Sequence, residues 1–196
     1  MSPIDSFSKG LDRLSPLDSL YNSEMPHSSS SLFEAARYHF QNPGKSFRAQ
    51  LALSSGRAVN QDKKDSLHWA AACELLHNAS LIHDDISDAS THRRGQASIN
   101  QHFGSDMALC LGDWMVAKAF ELAARDKNHG GKLVALLAQA MQETCSGQIS
   151  DIKQRHCADL SDWQCIAKGK TAPLLAAPIK GAAIATGLEC NLDHLD

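Results

Sequence analysis

The residues best suited to chemistry lie in one short segment, LIHDDISD at residues 81–88. On a helix, Asp84 and Asp88 are four residues apart and share a face, with Asp85 beside them. Carboxylates this close repel one another unless cations neutralise them, and Mg²⁺ prefers such hard oxygen ligands together with substrate phosphates. A solvated acidic helix end is the alternative. The apolar run NASLI before Asp84 favours a metal-binding cavity, because buried carboxylates are costly outside a polar site.

Basic residues occur on both sides of this segment. Arg93 and Arg94 follow it in the sequence RRG. Arginine side chains match phosphate oxygens in a bidentate way, although these two could also be simple ion-pair partners of the aspartates. Upstream, GKSFR at 44–48 begins a predicted helix and places Lys45 and Arg48 on one face. The N-terminus of a helix attracts phosphate, so this segment is a second candidate phosphate site.

A histidine also lies on the helix face that carries Asp84. His77 lies seven residues before Asp84, two helical turns back, so it can face the same cavity. By itself, a histidine in an apolar helix is more often an ordinary core residue. Its position relative to Asp84 makes it a candidate ligand.

Helical periodicity dominates the elements that must position these residues. A polar loop is predicted at 22–31, after a first helix, and a kink or break is expected at Pro173 and Pro178. The predicted helices that follow are 31–40, 45–59, 65–87, 105–125, 132–154 and 161–187. No alternating β pattern of useful length is present. The predicted class is all-α, an antiparallel helical bundle around a central cavity, in a single domain over residues 1–196 that is incomplete at its C-terminus.

Composition narrows the functional classes. The formal net charge is −3 and the basic residues form no run, which argues against a nucleic-acid partner. No window approaches the roughly 18 apolar residues of a membrane span. The first residues lack the apolar region of a secretory signal, and the six cysteines form no CxxC pair. These features predict a cytoplasmic protein with reduced thiols.

Taken together, the motifs resemble a known family. GKSFR, LLHNASLIHDDISDASTHRRG, FGSDMALCLGDWM, GQISD and KTAPL occur in the order and rough spacing of the trans-isoprenyl diphosphate synthases, from about residue 30 to 187. The resemblance implies the helical isoprenoid synthase fold and a homodimer. It also implies a Mg²⁺-dependent prenyltransferase that condenses isopentenyl diphosphate with an allylic prenyl diphosphate to give a longer trans-prenyl diphosphate.

The resemblance assigns roles to individual residues. It implies that Asp84, Asp85 and Asp88 hold Mg²⁺ ions bridging the allylic diphosphate, which Arg93 also contacts. The residues expected to bind the diphosphate of isopentenyl diphosphate are Lys45, Arg48, His77 and Arg94. Those expected to line the allylic side are Gln148, Asp151, Lys170 and Thr171, with Lys170 stabilising charge on the departing diphosphate. Alternatively, Gln148 and Asp151 are exposed helix residues, and Lys170 and Thr171 only a polar step before Pro173.

Product length is the subject of a further expectation. Ala79 and Ser80 lie one helical turn before Asp84. In the resembling family, bulky aromatic residues at these positions close the pocket early and small residues leave it open. Two small residues therefore predict a product longer than the fifteen-carbon farnesyl chain. The alternative is that they only permit close helix packing, and that a larger residue such as Trp114 forms the floor of the pocket.

The chain departs from the family pattern at its C-terminal end. The family has a second aspartate-rich motif on a later helix, whereas this chain ends at NLDHLD, where Asp193 and Asp196 lack the paired aspartates of that motif. We therefore expect either a partial synthase or a non-catalytic, regulatory homologue that binds prenyl diphosphates, alone or as the subunit of a longer partner. A terpene cyclase ranks last, because it has no need for GKSFR and His77.

Overall fold

Helices make up nearly all of the secondary structure in the computed structural model, which describes residues 15–153 and 160–188. The helices are α1 (Ser15–Glu24), α2 (Phe33–Phe40), α3 (Phe47–Ala58), α4 (Lys63–Ser87), α5 (Ile99–Phe103), α6 (Ser105–Ala123), α7 (Gly130–Lys153), α8 (Leu160–Lys170) and α9 (Ala172–Ala185). Two short strands, β1 (His92–Arg93) and β2 (Gln96–Ala97), pair in antiparallel fashion. The predicted all-α class is confirmed.

Helix α4 is the central element of the bundle. It begins at the cap residue Asp62, whose carboxylate accepts the backbone N–H groups of Lys64 and Asp65 at 2.8 and 3.2 Å. More than half of its 25 residues are buried, and it packs against α1, α3, α5, α6, α7 and α9. A helix that is apolar on most sides is stable only when other helices surround it. This position explains why the long apolar run before Asp84 contains so few charged residues.

Two small elements were not predicted. Arg94 and Gly95 both have positive φ, 53° and 80°, and form the two-residue turn between β1 and β2. Positive φ at both central residues is the pattern of a tight hairpin turn. The strands have two residues each and α5 has five, so each is too short to show a periodic pattern.

Two predicted boundaries need correction. Helix α1 continues to Glu24, so the loop predicted at 22–31 begins too early. Glu24 is held by ion pairs to Lys118 of α6 and to Arg125, which follows the end of α6. These are tertiary contacts that local composition does not reveal.

The predicted segment 161–187 forms two helices that meet at Thr171. Pro173 lies in the first turn of α9, where a missing N–H costs nothing. Pro178 lies inside α9, which continues through it. None of the helices in the described ranges is long and apolar enough to cross a membrane.

Candidate active site

Helices α3, α4, α7, α8 and α9 surround a cavity of about 110 Å³. Its lining residues are Arg48, His77, Ser80, Leu81, Asp84, Thr144, Lys170, Thr171 and Leu174. The fold therefore brings together residues that are up to 126 positions apart in the sequence. Six of the predicted site residues lie on this cavity.

One side of the cavity carries an aspartate–lysine–aspartate arrangement. The Lys170 ammonium group donates to Asp151 at 2.7 Å and lies 3.5 Å from the carboxylate of Asp84. Burial raises the pKa of Asp84, while the nearby Lys170 opposes that rise. Partial burial works against the charge on Lys170, but Asp151 and Asp84 raise its pKa overall. Lys170 is therefore a stable cation on the cavity wall.

The other two aspartates of the motif have different surroundings. Asp85 is only 3% exposed, and both of its oxygens accept hydrogen bonds from the Arg93 guanidinium, with Nε at 3.1 and 3.2 Å. Asp88 is exposed and forms the C-terminal cap of α4. Because successive residues on a helix point in different directions, Asp85 turns away from the face of Asp84. The structure thus places Asp85 with Arg93 in a cleft beside the cavity. The expectation that all three aspartates hold Mg²⁺ stays a prediction.

The carboxylates alone do not form a closed metal cage. Within residues 15–153 and 160–188, no three His, Cys, Asp or Glu side chains converge closely enough to hold a metal ion. Asp84 on the cavity wall and Asp88, one turn later on the same helix face, offer hard oxygen donors. This donor set fits Mg²⁺, which proteins commonly bind through one or two carboxylates while phosphates and water supply the remaining ligands.

Two basic side chains, Arg48 and His77, also line the cavity and form its basic side. The Nε of Arg48 donates to the carbonyl oxygen of Leu174 at 3.2 Å. Burial and the positive charges of Arg48 and Arg94 lower the pKa of His77 to about 3. His77 is therefore neutral near pH 7, and can donate one hydrogen bond without adding charge.

The remaining predicted basic residues lie near this cavity but do not line it. Arg94 donates to the carbonyl oxygen of Asn42 at 3.0 Å and to Oδ1 of Asn78 at 3.2 Å, in the cleft that also contains Asp85. Gly44 has a φ of 76°, and a Cβ atom there would lie 2.8 Å from Nε of Arg94. Glycine thus lets the GKSFR segment approach the RRG turn. Lys45 is exposed.

Three residues of α7 share the face that looks toward this site. Thr144 lines the cavity and Asp151 pairs with Lys170, and Gln148 lies between them at helical spacing. The amide nitrogen and oxygen of Gln148 are buried, and no described residue is hydrogen-bonded to them. Buried polar groups normally have partners, so the Gln148 amide is suited to a polar ligand. Thr171, at the start of α9, is exposed.

The family model for polyprenyl synthetase matches residues 29–195. The chain belongs to the polyprenyl synthetase family. It is 36% identical over 162 residues to a short chain isoprenyl diphosphate synthase of Methanothermobacter thermautotrophicus, covering 80% of this chain and 50% of that protein. It is 35% identical over 158 residues to heptaprenyl diphosphate synthase component 2 of Geobacillus stearothermophilus, covering 80% and 49%. The chain thus spans about half the length of these relatives.

Solved structures show the same fold. The FPP/GFPP synthase of Zymomonas mobilis superposes with a TM-score of 0.88 at 26% identity, covering 98% of this chain and 75% of that one. The geranylgeranyl pyrophosphate synthetase of Pyrococcus horikoshii superposes with a TM-score of 0.86 at 29% identity, covering 96% and 60%. The isoprenoid synthase fold that the motifs implied is therefore confirmed for this chain.

The two positions expected to set product length have different surroundings in the structure. Ser80 lines the cavity, and its hydroxyl donates to the carbonyl oxygen of His77 at 2.8 Å. Ala79 is fully buried in the hydrophobic core and is not part of the cavity wall. Trp114, the alternative floor residue, packs at the edge of that core and does not line the cavity either. Of these residues, Ser80 is placed to contact a bound chain.

Some residues that build the site were not identified from the sequence. Glu74 is 3% exposed, and its carboxylate accepts the backbone N–H of Ala49 at 3.1 Å beneath the basic side of the cavity. Asn78 is also buried and accepts from Arg94 and from the ring of His39. Both are polar residues within the apolar run of α4. That interruption was the available signal, since buried polar groups require partners.

Proposed function

We propose that this protein is a Mg²⁺-dependent trans-prenyltransferase, which condenses isopentenyl diphosphate with an allylic prenyl diphosphate to give a longer trans-prenyl diphosphate. The observation that supports this proposal is that one cavity is lined by two sets of residues suited to phosphate. Asp84 and Lys170 form the first set, called the acidic side, and Arg48 and His77 form the second, called the basic side. A reaction between two diphosphates needs two such sets beside a shared space.

The acidic side suits the allylic diphosphate. Asp84 and Asp88 would hold Mg²⁺ together with phosphate oxygens. When bound, Mg²⁺ supplies positive charge that stabilises the departing diphosphate. Lys170, kept protonated by Asp151 and Asp84, donates hydrogen bonds to the same group. Asp85, which is buried, orients Arg93 through their ion pair.

The basic side suits isopentenyl diphosphate. Arg48 presents a guanidinium, and neutral His77 adds a hydrogen-bond donor. We also assign Lys45 and Arg94 to this set, since the contact between Gly44 and the Arg94 side chain brings the GKSFR and RRG segments together. The apolar walls, Leu81 and Leu174, exclude water from the allylic cation that forms when the diphosphate departs. The double bond of isopentenyl diphosphate then attacks that cation, and the released diphosphate accepts the proton that is lost.

Cellular location and oligomeric state are also part of the proposed function. We propose a cytoplasmic homodimer, as is usual for the family. Helix α6 supports pairing, because it contributes buried residues to the core and yet leaves Leu109 half exposed on another side. Light scattering tests the dimer, and a monomer at every concentration up to the micromolar range contradicts it.

Calorimetry tests the acidic side. The 196-residue chain should bind a non-hydrolysable allylic thiodiphosphate in the presence of Mg²⁺ and much more weakly in EDTA. Asp84→Ala should abolish the Mg²⁺-dependent part, because it removes the half-buried carboxylate that faces the cavity. Asp106→Ala is a matched control, since that aspartate is in the first turn of α6 and outside the cavity lining. Equal binding with and without Mg²⁺ would contradict the proposal.

A further inference from the structure

Helix α9 contains a proline in its interior, at Pro178. A proline has no N–H to donate to the carbonyl four residues earlier, and its ring crowds that carbonyl and tilts it away from the helix axis. In α9 this carbonyl belongs to Leu174. The helix nevertheless continues from Ala172 to Ala185. Its Leu174 carbonyl therefore lacks the usual helical donor.

Arg48 supplies a donor to that carbonyl. Its Nε lies 3.2 Å from the Leu174 oxygen, although the two residues are 126 positions apart in the sequence. Leu174 is only 4% exposed. A buried carbonyl without a donor costs free energy, and a charged donor is among the stronger replacements. The carbonyl that loses its helical hydrogen bond because of Pro178 is thus the one that Arg48, on the basic side of the cavity, contacts.

The hydrogen bond to Leu174 determines the orientation of the two terminal nitrogens of the Arg48 guanidinium. Nε is used by Leu174, and within the described ranges no residue accepts a hydrogen bond from the two terminal nitrogens of Arg48. Both Arg48 and Leu174 line the cavity. A guanidinium is planar, so a hydrogen bond through Nε fixes the direction in which its two terminal nitrogens point, and their N–H groups can then pair with phosphate oxygens.

The position of α9 is itself fixed against α4. Trp69 of α4 is buried, and its indole N–H donates to the carbonyl oxygen of Pro178 at 3.0 Å. Gly181, one turn later, packs directly on the Trp69 ring, where a Cβ atom would overlap it. Because these contacts hold α9 in place, the Leu174 carbonyl is a fixed anchor for Arg48.

We propose that Pro178 is a positioning residue for Arg48. Because Pro178 has no N–H, the carbonyl oxygen of Leu174 is left to accept the hydrogen bond from Nε of Arg48. That bond orients the terminal nitrogens of Arg48 toward the diphosphate of isopentenyl diphosphate. This inference rests on the proposed function, since it concerns how the basic side of the same cavity binds its ligand. It assigns a role in ligand affinity to a residue that does not line the cavity.

Calorimetric titration of the 196-residue chain with isopentenyl diphosphate tests the inference. Pro178→Ala restores an N–H for Leu174, so the carbonyl returns to the helix ladder and Arg48 loses its anchor. We expect about tenfold weaker binding, which corresponds to about 1.4 kcal/mol. The melting temperature should rise at the same time, because alanine suits a helix interior far better than proline. Mg²⁺-dependent binding of the allylic thiodiphosphate should not change.

Two further variants make the test specific. In an Arg48→Ala background, Pro178→Ala should cause no additional loss, since a double-mutant cycle isolates the coupling between the two residues. Pro173→Ala is the matched control, because a proline in the first turn of α9 deprives no carbonyl of a donor that the helix needs. It should leave the affinity for isopentenyl diphosphate unchanged. Pro178→Val keeps more of the buried volume and replaces the alanine variant if that variant folds poorly.

The outcomes separate this inference from the proposed function. Unchanged affinity in Pro178→Ala overturns the inference alone. The same loss with and without Arg48, or an equal loss for both diphosphates, overturns it too, because either result indicates a general disturbance of α9. A wild-type chain that does not bind isopentenyl diphosphate defeats the proposed function and this inference with it.

Discussion

The crossing of α7 and α8 offers a direct test of how the site is assembled. Gly147 of α7 meets Gly169 of α8, and a Cβ atom at Gly147 would overlap the carbonyl carbon of Gly169 and the backbone nitrogen of Lys170. Carbon atoms pack at about 3.5–4.0 Å. Gly147→Ala therefore forces the two helices apart by about 1 Å, because the atoms in the way are backbone and cannot rotate aside.

The consequences follow from the position of Lys170. Overpacking of this kind costs about 1–3 kcal/mol, partly offset by about 0.5–1 kcal/mol gained when alanine replaces a helical glycine. For a domain of this size the melting temperature should fall by several degrees, at roughly 2–4 °C per kcal/mol. Lys170 is already 3.5 Å from Asp84, so the same displacement breaks that ion pair. Affinity for the allylic thiodiphosphate with Mg²⁺ should fall by about tenfold, or roughly 1.4 kcal/mol.

The assay combines thermal unfolding followed by circular dichroism with calorimetric titration. Gly131→Ala is the matched control, since it lies in the same helix and a Cβ atom there meets nothing within 4 Å. It should leave binding unchanged and stability equal or slightly higher. If Gly147→Ala behaves like Gly131→Ala in both measurements, the reasoning about this crossing is wrong.

Two further predictions concern chain length and pH. Ser80→Phe should weaken binding of twenty-carbon allylic thiodiphosphates more than that of ten-carbon ones, because the ring enters the 110 Å³ cavity. Ala79→Phe should instead lower the melting temperature. The reverse pattern would contradict the assignment of Ser80 to the cavity and Ala79 to the core. Burial lowers the pKa of His39 to about 4, so the unfolded chain binds more protons between about pH 6.5 and 4 and stability falls as the pH is lowered through that window. His39→Gln, which can still donate to Asn78, should reduce this slope in urea unfolding by up to about 1.4 kcal/mol per pH unit; equal slopes would refute the point.

Much of the fold could be predicted because local signals agree with it. The Asn42-Pro43-Gly44 stop separates α2 from α3, and the long apolar run predicts the central helix α4 within two residues of its observed start. Pro173 and Pro178 indicated a break in the last predicted helix, but they did not locate it. The break falls at Thr171, since a proline is tolerated in a first turn and another can be accommodated inside a helix when a side chain satisfies the freed carbonyl.

The sequence by itself determined which chemical groups are available and how they are spaced along each helix. The four-residue spacing of Asp84 and Asp88, and the seven-residue spacing from His77, follow from helical geometry alone. The tertiary structure decided which of these groups share a cavity. It paired Asp85 with Arg93, set Lys170 between Asp84 and Asp151, and attached Arg48 to α9. Helical periodicity reports only the direction of a side chain about its own axis, whereas the partner it meets depends on how separate helices pack, and that depends on contacts between residues far apart in the chain.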